Sequence, residues 1–162
     1  FNKMLESYDT KSELITYSVC GWVRRFTEMF APDFELTFYI GRHGGRKFYQ
    51  RHLWRFFEKV VVIEEKDSYS HYKASLDNTN LQCNLYFITN AEKKFPIVAL
   101  SSMVAKYFRE LSMYCFNLFW QKYNKTLRPT TGYIPDALNF LENIKDVVKK
   151  LNINLTEIVR KL

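Results

Sequence analysis

The stretch Phe95–Trp120, FPIVALSSMVAKYFRELSMYCFNLFW, constrains the fold more than any other part of the chain. It is apolar nearly all round, and a helix of that kind is expected to be central and buried. Pro96 suits a first helical turn, so the helix is predicted from Pro96 to about Tyr123. Its polar exceptions include Ser102, Lys106, Arg109 and Glu110, which fall within about 100° of arc on a helix. Such a stripe faces either solvent or a site. Lys106 and Glu110 stand four apart and can pair.

The rest of the chain supplies partners for that helix. Leu14, Ile15, Val19, Trp22, Val23, Phe26 and Phe30 recur at helical spacing, and Pro32 ends that helix. A strand is predicted over 35–40 and a glycine turn over 41–45. A helix follows over 46–57, then an apolar β-branched strand over 60–64, expected to be buried. Two further strands, 71–76 and 81–89, read as an antiparallel hairpin joined by Asp77-Asn-Thr-Asn80. A helix near 135–151 and a short one after Asn154 complete the chain. This order indicates α/β, with the first two strands as parallel neighbours across a crossover helix. With 162 residues, 47% of them hydrophobic, one domain with a real core is expected.

No stretch reaches the ~18 apolar residues of a membrane span, so no membrane partner is expected. The chain begins on Phe rather than Met, with nothing like a signal peptide near it, and is expected to be processed or cut from a longer protein. Cys20, Cys83 and Cys115 are scattered and odd in number, which fits reduced, mostly buried thiols in a cytoplasmic, intracellular protein. Net charge is +7, a balance that suits a polyanionic partner as well as it suits a merely solvated basic surface.

Three of the five glycines lie in Gly41-Arg-His-Gly-Gly-Arg46. Arg42, His43, Arg46, Lys47, Arg51, Arg55 and Lys59 follow with a single acid, Glu58, among them. The turn comes at the end of a strand, where α/β sheets build their ligand crevices. Gly44 and Gly45 free the backbone for close approach, and Lys47, Arg51 and Arg55 would share a helix face that grips phosphate. The alternative is a solvated basic helix. The glycine spacing matches neither a P-loop nor a dinucleotide fingerprint.

Other features read more plainly. His43, His52 and His71 lack metal spacing and are expected at the surface or in loops. Glu64-Glu65-Lys66-Asp67 is expected to be a solvated strand end. Phe116, Phe119 and Trp120 are expected in the core. Leu138, Leu141, Ile144, Val147, Val148 and Leu151 form an apolar stripe expected to pack on the sheet.

Ser102-Met-Val-Ala-Lys-Tyr-Phe-Arg-Glu110 resembles the helix of type 2 ribonucleases H, Ser-Ile-Ile-Ala-Lys-x-x-Arg-Asp. Thr131-Gly-Tyr-Ile-Pro-Asp136 resembles that family's Lys-Gly-Tyr-Gly-Thr loop. Gly44-Gly45-Arg46 after a strand is similar to a divergent bacterial branch of the superfamily in which Asp begins the turn. The resemblance spans roughly residues 36–141. It implies a ribonuclease-H-like mixed sheet flanked by helices, with a helical C-terminal portion. The chain would then be a single domain, 1–162, lacking its N-terminal strands, which a protein partner would supply.

The resemblance further implies a divalent-metal-dependent endonuclease-like domain acting on RNA in RNA–DNA duplexes. Glu110 would be a metal ligand and, with Asp136, catalytic, using Mg²⁺ or Mn²⁺. Tyr133 would stack at the ribonucleotide–deoxyribonucleotide junction. Arg42, Gly44, Gly45, Arg46, Lys47, Arg51, Lys106 and Arg109 would contact nucleic acid. The chain departs from the family at Gly41, where a third Asp is expected, and lacks the family's early Asp-Glu pair. Two alternatives therefore stand beside nuclease activity: a non-catalytic nucleic-acid-binding or assembly subunit, and an interaction protein whose basic face meets an acidic protein.

Overall fold

The computed structural model describes residues 2–8, 10–31, 34–76 and 81–159. Pro32, Asp33 and the turn Asp77–Asn80 lie outside them. The chain forms two compact units, residues 3–101 and residues 1–2 with 102–162. The division falls inside one long helix.

The first unit is built on a four-stranded mixed sheet of order β1-β4-β3-β2. Its strands are β1 (Leu36–Gly41), β2 (Lys59–Glu65), β3 (Tyr69–Ser75) and β4 (Gln82–Ile88). β2, β3 and β4 form an antiparallel meander, and β1 pairs parallel with β4. The predicted hairpin is therefore present. The predicted β1–β2 neighbourhood is not, because β4 and β3 stand between those strands. β3 and β4 carry the alternating pattern of half-buried strands and take the centre. β2 is left at an edge with only Val60 buried, so its apolar run does not mark a buried strand.

Two helices precede the meander, α1 (Asn2–Leu5) and α2 (Lys11–Phe30). α2 starts where the Thr10 hydroxyl accepts the Glu13 amide at 3.1 Å. It turns Leu14, Thr16, Cys20, Val23 and Thr27 inward. Thr16 and Thr27 return their hydroxyls to Ser12 and Val23 carbonyls, so neither is buried unpaired. Trp22, Phe26 and Phe30 form an exposed row of rings.

The predicted helix over 46–57 shrinks to α3 (Gln50–Leu53). The buried Tyr49 amide donates to Tyr72 Oη at 2.9 Å, and the Lys47 carbonyl accepts from Ser70 Oγ at 2.6 Å. The segment 46–49 therefore bonds to the sheet instead of to a helical turn. The core of this unit gathers Cys20, Val23, Tyr49, Leu53, Phe57, Tyr72, Leu85 and Phe87 on one sheet face. The other face carries a ladder of stacked rings. His71, Tyr86 and Tyr39 are cross-strand neighbours in one row, and Phe95 continues it after α4 (Ala91–Lys94).

α5 (Pro96–Gln121) follows the predicted span closely. Its burial does not follow the prediction, because only Asn117 and Trp120 are buried and the apolar residues from Ile97 to Phe108 remain largely exposed. In the second unit α6 (Asp136–Lys150) packs Phe140, Ile144 and Val148 around Trp120 and Leu127. The C-terminal stripe thus covers α5 and its following loop rather than a sheet, while Leu138 stays exposed. α7 (Leu155–Ile158) closes the chain. The Asn2 side chain donates to the Thr156 and Val159 carbonyls at 2.6 and 2.7 Å. Among the described residues no helix is long and apolar enough to cross a membrane.

Candidate nucleic-acid interface

The glycine turn closes β1 in the first unit. Arg42 N–H donates to the Ile88 carbonyl, and Arg46 N–H to the His43 carbonyl. Gly44 and Gly45, the central pair, have φ of 57° and 76°. Two consecutive positive φ values are what a type I′ turn demands, and glycine meets them without a Cβ penalty. A Cβ on Gly44 would also stand 3.0 Å from Ser12 Oγ. Gly41 is different, since a Cβ there meets nothing within 4 Å. No steric demand explains glycine at that position.

Tyrosine hydroxyls fasten the turn to the sheet. His43 N–H donates to Tyr49 Oη at 3.0 Å. Tyr49 N–H donates to Tyr72 Oη, which donates to Glu65. The Tyr49 ring stacks on Phe87 at 3.6 Å. Thr16 Oγ1 lies 3.1 Å from His43 Nδ1, and its one proton already goes to the Ser12 carbonyl. That assignment places a proton on His43 Nδ1. Arg46 donates to His52 Nε2, which makes His52 a neutral acceptor there. Burial, with the Arg46 charge behind it, holds both imidazoles below their ordinary pKa. His52 is buried rather than at the surface, which corrects its expected placement.

A recess of about 470 Å³ opens at the carboxyl ends of the parallel pair. Gly41, Arg42, Gly45, Lys47, Asp67 and Glu92 contribute to its lining. The expected phosphate contacts are only partly available there. Arg42 donates to the Asp67 and Lys66 carbonyls, both at 2.7 Å, and to Ser70 Oγ at 3.0 Å. Its guanidinium is a strut for the β2–β3 turn. Arg46 is directed at His52. Lys47 is exposed and paired with the still more open Asp67, an exchangeable surface pair. The pair also holds the Asp67 carboxyl below its usual range. Arg51 is exposed on α3, while Arg55 turns away to lie 5.0 Å over the Tyr17 ring. Lys47, Arg51 and Arg55 therefore do not share one helix face.

In the second unit the predicted residues come together. Arg109 forms an ion pair with Glu110 and donates to the Thr131 carbonyl at 2.9 Å. Its guanidinium lies 4.5 Å from the Tyr133 ring centroid. Asp136 Oδ2 accepts from Thr131 N–H and Thr130 Oγ1, both at 2.7 Å, and from Thr131 Oγ1 at 3.0 Å. The Thr131 amide, then the Thr130 hydroxyl, hold its carboxyl below the usual range. The base of the loop is pinned by Asn117, whose amide donates to the Thr130 carbonyl and accepts its N–H, both at 2.9 Å. Gly132, at φ 78°, lets the chain turn outward. Tyr133 is 63% exposed, Lys106 is exposed, and Glu110 pairs with Arg109 rather than Lys106.

The chain matches no protein-family model, no curated protein and no solved structure. Chemistry must therefore be judged from the residues. Among the described residues no group of three or more His, Cys, Asp or Glu side chains is placed to hold a metal. Glu110 and Asp136 are two carboxylates already bonded to Arg109 and to the threonines. A two-metal phosphodiesterase needs more acids than that, so this donor set does not fit a Mg²⁺ or Mn²⁺ pair. Sequence reasoning missed the roles of Asn117, Thr130, Tyr49 and Tyr72. The only signal for Asn117 was a polar residue in the apolar part of α5.

Proposed function

We propose that the protein binds nucleic acid, with RNA–DNA duplex as the ligand, through the exposed Tyr133 ring and the basic residues around it. The observation that carries this reading is Arg109. One guanidinium lies against the Tyr133 ring, holds the Thr131 carbonyl and pairs with Glu110. This supports an aromatic face kept open and oriented, with Lys106 one turn away on α5 to meet phosphate. Stacking on an aromatic side chain contributes about 1–3 kcal/mol per base. The net charge of +7 adds a general attraction for a polyanion. Binding without cleavage is the form of the ribonuclease-H-type reading that the carboxylates support best.

The test is titration of a labelled RNA–DNA hybrid at low and moderate salt, with and without Mg²⁺. Binding should weaken steeply with salt, and Tyr133→Ala should lower affinity by about tenfold or more. Absence of binding at low salt would refute the reading. Mg²⁺-dependent cleavage lost in Glu110→Ala would replace it with a nuclease.

A further inference from the structure

We infer that the aromatic recess beside the ring ladder, on the open face of the sheet, is a binding site for a nucleoside monophosphate. The recess measures about 330 Å³ and is lined by Tyr39, Tyr69, Tyr86, Ile88, Lys94 and Phe95. That volume suits one small ligand. The strand register explains its shape. Tyr39, Tyr86 and His71 form one cross-strand row, and the next row on the same face is Gly41, Ile88 and Tyr69. The second row therefore has no side chain on β1. A Cβ on Gly41 would meet nothing within 4 Å, so no neighbour fills that gap. A glycine inside a strand often marks a place where a ligand comes close to the backbone. Gly41 lines the recess at the glycine turn, and Ile88 lines both recesses, so the two adjoin at this row.

The lining indicates the ligand. Tyr86 stacks on His71 at 4.0 Å and Tyr39 on Phe95 at 4.4 Å, with interplanar angles of 13° and 24°. These rings pack their faces against one another and offer the recess their edges. Ring edges carry the positive side of the quadrupole and attract an electron-rich π face. Among the described residues the hydroxyls of Tyr39 and Tyr86 have no protein partner, whereas that of Tyr69 donates to Glu64. Two hydroxyls are thus left for the polar edge of a base. Lys94 is exposed at the rim and makes no ion pair among the described residues. An apolar floor, aromatic walls, two open hydroxyls and one ammonium match a planar base that carries a phosphate. Inorganic phosphate would leave the aromatic walls unused, and a neutral sugar would leave Lys94 unused.

Calorimetric titration with AMP, adenosine and inorganic phosphate tests this. AMP should bind, and adenosine and phosphate should each bind about tenfold more weakly or worse. Gly41→Leu sets a side chain in the gap of the second row. It should abolish AMP binding and leave the thermal midpoint unchanged. Lys94→Gln, at an exposed position, should weaken AMP about tenfold and leave adenosine as it was. This variant keeps the test decisive should Gly41→Leu disturb the fold. No binding of AMP at millimolar concentration overturns the inference. So does AMP binding that neither variant alters, or phosphate or adenosine that binds as tightly as AMP. Tyr133→Ala lies in the second unit and should leave AMP binding intact, so this site and duplex binding through Tyr133 stand or fall separately.

Discussion

The glycine turn and the Tyr133 loop both set arginines beside a glycine-bearing bend, and they use them in opposite ways. At the glycine turn Arg42 donates inward to two carbonyls and a serine, and Arg46 to an imidazole. At the Tyr133 loop Arg109 holds one carbonyl and leaves an aromatic ring in the open. A row of basic letters is thus no measure of free positive charge. What decides is which acceptors lie within reach of the guanidinium: for Arg42 two carbonyls more than twenty positions away, for Arg46 an imidazole six positions on.

The sharpest way to separate the two regions is to truncate one tyrosine in each. Tyr49→Ala removes a fully buried ring stacked on Phe87 and should cost about 3–5 kcal/mol in urea unfolding. Tyr133→Ala should stay within about 0.5 kcal/mol. Next comes the arginine contrast. Arg42→Ala, which strips three hydrogen bonds from the β2–β3 turn, should cost about 1–3 kcal/mol, whereas Lys47→Ala should cost under about 1 kcal/mol. Equal losses would mean that Arg42 is not a strut.

The glycines give a smaller step. Gly44→Ala forces a Cβ into a left-handed residue facing Ser12 and should cost about 1–2 kcal/mol, while Gly41→Ala should be near neutral. The weakest effect is that of pH. His43 and His52 titrate below 6.5 in the folded chain, so the unfolded chain takes up protons first as acid is added. Their contribution to stability is complete above 6.5 and is lost as pH falls below it. The thermal midpoint should therefore drop between about pH 7.5 and pH 5.5. His43→Gln should flatten that slope, and an unchanged slope would assign it to other groups.

Local periodicity made much of the fold legible. α2, β1, the β3–β4 hairpin, α5 and α6 all lie where spacing and turn residues placed them. The failures share one cause. Whether Val60–Ile63 is central or at an edge depends on which strands insert beside it. The helix over 46–57 yields because Tyr72 captures the Tyr49 amide from 23 residues away. The burial of α5 depends on what covers it, which its own letters do not state. In the site, the loop that gathers Arg109, Glu110, Tyr133 and Asp136 was legible as a pair of short motifs. The Asn117 clamp beneath it and the Arg42 strut were not, since both act through backbone groups.

The strand β4 also gives the first unit an optical handle. Tyr86 lies between Tyr39 and His71 on one face, at 5.4 and 4.0 Å, while Phe87 lies under Tyr49 on the other at 3.6 Å. Rings so close and fixed in a twisted sheet form a chiral chromophore array. Near-ultraviolet circular dichroism therefore carries a contribution from the packing of this strand on both sides. It should fade when side-chain packing loosens, even where the far-ultraviolet signal of the backbone persists.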